Sequence, residues 1–144
     1  MTYKLIYMLL LAGLATLPAY SQTVGVLKSV EGQVSLSQAQ RERVADAGVG
    51  ILGSDKIVTG RQGSAALTLK DGTVVMLGPN TNLALADVKF DTTTQEGSVL
   101  LHLTQGTIRV VTGWLGKLHP EQVKVITPTT VVGVRGTDFI VEVP

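Results

Sequence analysis

The residues able to do chemistry are few and scattered along the chain. Its 144 residues include no cysteine and two histidines, His102 and His119, so thiol nucleophiles, thiolate metal sites and disulfide bonds are excluded together. A zinc site needs more ligands than two histidines supply. His102 falls on the polar phase of a strand-like pattern, and His119 lies in a loop before Pro120. Gly48-Val49-Gly50-Ile51-Leu52-Gly53 has the glycine spacing of a dinucleotide-binding turn. That motif works only where a strand precedes it, a helix opens at its end and an acidic residue follows about 20 residues later. Here charged residues precede it, Thr59-Gly60 breaks any following helix, and Asp71 sits in a turn of its own. Serine hydrolysis would require a G-x-S-x-G elbow, which the chain lacks. A glycosidase carboxylate pair cannot be read from spacing across separate strands. The sequence therefore predicts no catalytic residue, no metal ligand and no cofactor.

Arg135 is the one charged side chain in an unusual setting. It stands between Gly133 and Gly136 in a β-branched run that reads as a strand bent sharply and then resumed. Two roles fit. Arg135 either presents its guanidinium to a partner carboxylate or carbonyl, or satisfies carbonyls or an internal acid such as Asp55 or Asp138 through charge-assisted hydrogen bonds. The internal role is preferred, because buried charges persist mainly when paired.

These residues must be held by short strands. Large apolar residues alternate with polar ones at Val24/Val26, Val34/Leu36, Leu67/Leu69, Leu83/Leu85, Val99/Leu101/Leu103, Ile108/Val110, Val123/Val125 and Phe139/Val141, which gives each strand one wet and one dry face. Turn residues punctuate them at Glu31-Gly32, Asp71-Gly72, Gly78-Pro79-Asn80 and Gln105-Gly106. Asp71-Gly72 predicts a two-residue type I′ hairpin joining Ala65–Lys70 to Thr73–Leu77. The alternation changes phase between Leu85 and Val88, which places a bulge or a strand end near Asp87. The charged segment Ser37–Ala47 has only Val44 as an apolar anchor and reads as a polar loop. Thr92–Gln95 and Gly113–Glu121 read as surface loops, the second greasy enough, with Trp114, Leu115 and Leu118, to fold back on the core or form a contact patch.

Residues 1–21 have the order of a secretory signal: Lys4, an apolar run Leu5–Leu17 shorter than a bilayer span, and the small-residue ending Ala19-Tyr20-Ser21. Cleavage after Ser21 is expected, leaving a domain over residues 22–144. Losing Lys4 leaves 11 basic residues against 11 acidic ones, a balance without the basic footprint that nucleic acid or an anionic membrane surface requires. No long apolar run follows Ser21, so no membrane span is expected after processing. A chain of about 120 residues buries about two thirds of its unfolded surface, which suffices for a core without disulfides. The expected fold is a single all-β domain of short twisted strands, antiparallel or solenoid-like, of β-roll or sandwich type.

Four elements then carry a family resemblance. They are Gly53-Ser54-Asp55-Lys56-Ile57-Val58-Thr59-Gly60, Ser64-Ala65-Ala66-Leu67-Thr68-Leu69-Lys70-Asp71-Gly72-Thr73, Leu103-Thr104-Gln105-Gly106-Thr107-Ile108, and Thr127-Pro128 followed by Val134-Arg135-Gly136-Thr137-Asp138-Phe139. In this order the chain resembles the FecR-type domains, with Ser54 as an insertion relative to their Gly-Asp element. The resemblance marks Gly53, Asp55, Thr59, Gly60, Asp71, Gly72, Gly106, Pro128, Arg135, Gly136, Thr137 and Phe139 as motif residues with structural or interaction roles. It implies a β-rich module of the bacterial cell envelope, periplasmic or secreted. The best-known members form the extracytoplasmic half of a membrane-spanning regulator that responds to an outer-membrane transporter and controls a sigma factor. This chain looks like a stand-alone exported version. The expectation is a non-catalytic sensing or protein-interaction module whose partner is another envelope protein. A structural or assembly component of the envelope without a signalling role is the first alternative, and a small-ligand or polysaccharide carrier is the second.

Overall fold

The computed structural model describes residues 22–144; the expected signal and its cleavage point lie outside the described residues. Twelve strands account for most of the domain: β1 (Thr23–Glu31), β2 (Val34–Gln38), β3 (Arg41–Arg43), β4 (Gly50–Leu52), β5 (Lys56–Thr59), β6 (Ser64–Leu69), β7 (Val74–Leu77), β8 (Asn82–Asp91), β9 (Glu96–Val111), β10 (Val123–Ile126), β11 (Val131–Gly133) and β12 (Asp138–Val143). One short helix, α1 (Trp114–Leu118), and a 3-10 turn at Pro120–Gln122 interrupt them. The domain is all-β and almost wholly antiparallel, as alternation predicts, with β9–β10 as a parallel pair.

The strands form one curled sheet whose two wings share β9. One wing runs β4-β1-β6-β7 to residues 106–111 of β9 and on to β12. The other runs β3-β2-β5-β8 to residues 96–105 of β9, then β10 and β11. Both wings turn their apolar faces into one core, which contains Leu27, Ile51, Leu67, Val75 and Ile108 from the first and Leu36, Ile57, Leu83, Leu101 and Val125 from the second.

The wings meet where β9 passes Gly106. Its φ is +97°, a region costly for residues with a Cβ. A Cβ there would lie 2.3 Å from Thr81 Oγ1 and 2.4 Å from Thr81 Cα. Only glycine lets β9 cross Thr81 this closely. The crossing is then fixed by hydroxyls, since Thr81 Oγ1 accepts from Thr107 N (3.1 Å) and Thr59 Oγ1 accepts from Thr81 N (2.9 Å) while donating to Gly78 O (2.6 Å).

Several expectations about local structure need correction. Ser37–Ala47 is a loop only in its second part, Val44–Ala47; before it β2 and β3 form a hairpin whose two-residue turn, Ala39-Gln40, has φ of 47° and 66°. The strand is held by Arg43 rather than by an apolar anchor, and Val44 is exposed. The Asp71-Gly72 hairpin pairs Ala65 with Leu77 through Thr68 with Val74, as expected, but its turn has three residues. Gly72 N donates to Leu69 O and Leu69 N to Thr73 O, and of Asp71 and Gly72 only Gly72 has positive φ; this is a type I turn closed by a glycine bulge. In β1 the buried pair is Val24 and Leu27 rather than Val24 and Val26, because the strand slips register on both sides of Gly25–Leu27. Gly113–Glu121 contains α1, which folds back on the core through Leu115 and sets Trp114 edge-on to Phe90 at 6.1 Å. The bulge near Asp87 is present between Leu85 and Asp87, and Thr92–Gln95 is a turn.

Because Gly72 has φ of +86°, Gly72→Val places a β-branched residue in the left-handed region at a cost of about 1–2 kcal/mol. Thermal unfolding should show a melting temperature several degrees lower. An unchanged melting temperature would contradict this turn geometry.

Candidate functional site

The motif residues do not converge on one centre. They fall into four places, three of which serve the fold. The first surrounds Asp55, which is fully buried. Gly53 and Ser54 form the turn between β4 and β5, closed by Asp55 N donating to Leu52 O (3.1 Å). The turn folds the Asp55 side chain back so that Oδ2 accepts from Leu52 N (2.7 Å) and from Arg43 Nη1. Arg43 also donates from Nη2 to Gly50 O (2.6 Å). Gly53 is needed here because a Cβ would lie 2.5 Å from Val88 O. The extra Ser54 leaves a well-formed turn.

The second place is the crossing of Gly106, where Thr59 and Gly60 meet Thr81. Gly60 N donates to Gln33 O and Gly60 O accepts from Asn80 N. In the third, Asp71 and Gly72 tie the β6–β7 turn to the start of α1. Asp71 Oδ1 accepts from Thr73 N (2.9 Å) and Oδ2 from Thr73 Oγ1 (2.7 Å), while Thr73 Oγ1 accepts from Gly113 N (3.0 Å) and Asp71 O from Trp114 N (3.0 Å). Arg43, Thr73, Thr81 and Gly113 are partners that sequence reasoning missed. Thr73 was recoverable, since an aspartate two residues before a threonine is a recognised local cap. Arg43 was not, because nothing in sequence spacing joins it to Asp55.

The fourth place is the closing segment. Pro128 sits in the β10–β11 turn, where Thr127 N donates to Thr130 O (2.8 Å) and Thr130 N to Thr127 Oγ1 (3.1 Å). Phe139 is half-buried against the core, and Thr137 O accepts from Thr112 N (2.9 Å). Neither acid named for Arg135 pairs with it. Asp55 pairs with Arg43, and Asp138 is held in a two-point grip by Arg109, with Nε to Oδ1 at 3.0 Å and Nη2 to Oδ2 at 2.6 Å. Arg135 itself is exposed and makes no hydrogen bond or ion pair among the described residues. It sits where β11 ends, between two strands that are both sheet edges: β11 pairs with β10 alone and β12 with β9 alone.

Other chemical groups stay apart. Gly48–Gly53 runs into β4 and a turn, with β5 following where a dinucleotide site would have a helix. His102 is half-buried on β9, and His119 Nδ1 lies 3.5 Å from Glu121 Oε1. No group of three or more metal-ligating side chains comes together among the described residues. One open cleft, of about 570 Å³, is lined by Asp87, Lys89, Phe90, Asp91, Glu96 and His119 among others.

Two outcomes follow from the arginine assignments. Arg43→Met leaves the Asp55 carboxylate buried without its cation; because Arg43 is 29% exposed, the cost is about 2–3 kcal/mol, below that of a fully buried pair. Denaturant titration should show that loss for Arg43→Met and unchanged stability for Arg135→Met, and equal losses for both variants would refute the assignment. The hydrogen bond from Arg109 holds the Asp138 carboxyl below its ordinary value of 3.8. A carboxylate with a depressed folded value contributes stability above the unfolded value, and loses it as pH falls through the folded one. An NMR titration of Asp138 should therefore give a midpoint below 3.8 that rises in Arg109→Met; a midpoint at or above 3.8 in the unaltered protein would contradict the pair.

Comparison with curated proteins and with solved structures gives no match. The family model described as FecR protein matches residues 55–143, a span that opens on the buried Asp55 and closes on the last residue of β12. Matched over more than half of its length, the chain belongs to the FecR family.

Proposed function

We propose that the protein is a non-catalytic, exported module of the bacterial cell envelope that recognises another protein through the sheet edges at its closing motif. Family membership supports a sensing-related envelope role. The observation that carries the reading is the division of labour among the motif residues. Their aspartates, Thr59 and most of their glycines are consumed by turns and strand crossings, whereas Arg135 is left exposed and unpaired between two free edges, with Thr137 exposed beside it. Free edges present unpaired N–H and C=O groups, which an incoming extended segment satisfies by adding a strand. Among the described residues no helix is long and apolar enough to cross a membrane, in keeping with the balanced charge and secretory leader read from the sequence. A part in sigma-factor regulation would be one use of such recognition, and assembly of the envelope another.

Envelope fractions test this reading directly. The exported protein should carry Gln22 as its first residue, and tagging either the protein or its co-purifying partner should recover the other. Retention in the cytoplasm, or failure of reciprocal recovery for every candidate partner, would overturn the proposal.

A further inference from the structure

The β11 edge has features that select the chemistry of what docks on it. In the β10–β11 hairpin the register pairs Ile126 with Val131, Val125 with Val132 and Lys124 with Gly133. Thr127 N bonds Thr130 O, and hydrogen-bonded pairs alternate along an antiparallel ladder. Val132 therefore turns its backbone groups to Val125, while Val131 and Gly133 turn theirs to the open edge. Four backbone groups await a strand there. Val131 also exposes its side chain at 59%.

Gly133 has no local reason to be glycine. Its φ lies outside the left-handed region and a Cβ built on it meets no atom within 4 Å. Gly136, on the other side of Arg135, also has open space around it, but its φ of +127° calls for glycine in its own right. An unneeded glycine in a strand marks a place where another group approaches closely. Lys124 lies directly across from Gly133, and Lys124, Gly133 and Arg135 line one open cleft of about 500 Å³. Neither cation has a partner among the described residues. The one acid of the cleft, Glu121, is turned to within 3.5 Å of His119.

We infer that the β11 edge binds an extended segment of a partner protein that carries a carboxylate opposite Gly133 and an apolar or β-branched residue opposite Val131. Directly opposed residues on paired strands share a face. The carboxylate would thus lie over the missing side chain of Gly133, reaching Lys124 beyond it and Arg135 beside it. A second copy of this chain fits less well, because pairing β11 with itself would gather Lys124 and Arg135 from both copies, with Glu121 of each cleft turned to its own His119. This assignment rests on the proposed recognition function and names the edge and the partner chemistry.

The test uses the ¹⁵N-labelled protein and the peptide acetyl-Thr-Val-Thr-Glu-Thr-Val-Thr-amide, with glutamine and lysine versions of its central residue. The glutamate peptide should shift the amides of Val131, Gly133, Arg135 and Lys124 and bind about tenfold more tightly than the glutamine peptide, with the lysine peptide weaker still. Arg135→Met should remove most of that preference. Gly133→Val should keep the melting temperature, since valine suits a strand, yet weaken binding. Shifts confined to β12, equal binding of all three peptides, unaltered binding by Gly133→Val, or self-association through β11 would overturn the assignment. If reciprocal recovery from envelope fractions succeeds while the peptide leaves β11 unmoved, recognition stands and this edge is the wrong one. Failure of both removes the function itself.

Discussion

A carboxylate removed from water must be compensated where it lies, and Asp55 is compensated by atoms from several strands at once. Its Oδ2 binds Leu52 N at the end of β4 and the guanidinium of Arg43 on β3, its backbone carbonyl accepts from Leu85 N on β8, and Arg43 reaches on to Gly50 O. Oδ1 is buried without a partner among the described residues, so the charge rests on this one cluster. Since β4 belongs to one wing of the sheet and β3, β5 and β8 to the other, the cluster stitches the wings at one side. The Gly106 crossing of β9 joins them at another. A wing released at either joint would expose half of a core that is dry only because the two faces meet.

That arrangement accounts for the character of the motif residues. Short strands with few aromatics rely on tight turns and close crossings, which call for glycine where a Cβ would strike backbone and for hydroxyls where backbone groups lose their ladder partners. Asp71 and Thr73 do this for the β6–β7 turn, and Thr59 and Thr81 for the crossing. Polar residues so engaged have no capacity left for substrate or partner. Arg135, Thr137 and Gly133 are the exception, and the proposed interaction is placed at that end of the sheet for this reason.

Period-two alternation made the strand content legible in the sequence, and the change of phase after Leu85 made the bulge legible. Both are local signals. The β2–β3 hairpin was hidden because Ala39-Gln40 lacks the usual turn residues and Arg41–Arg43 lacks apolar alternation; the strand depends on a long-range ion pair instead. The turn at Asp71-Gly72 was found but with one residue too few, since the buried aspartate caps Thr73 rather than taking a left-handed conformation. The acids named for Arg135 were misread for a related reason. Sequence spacing shows that acids exist to pair with it, but only three-dimensional register shows that Arg43 and Arg109 reach those acids first.

The central claim is that Arg43 and Arg109 are held while Arg135 is free. Side-chain ¹⁵N spectra of the guanidinium groups measure this directly, because a hydrogen-bonded guanidinium rotates and exchanges its protons slowly. The account predicts slow signals for Arg43 and Arg109 and fast averaging for Arg135 in the isolated protein. A slow, immobilised Arg135, or a freely rotating Arg43, would contradict it.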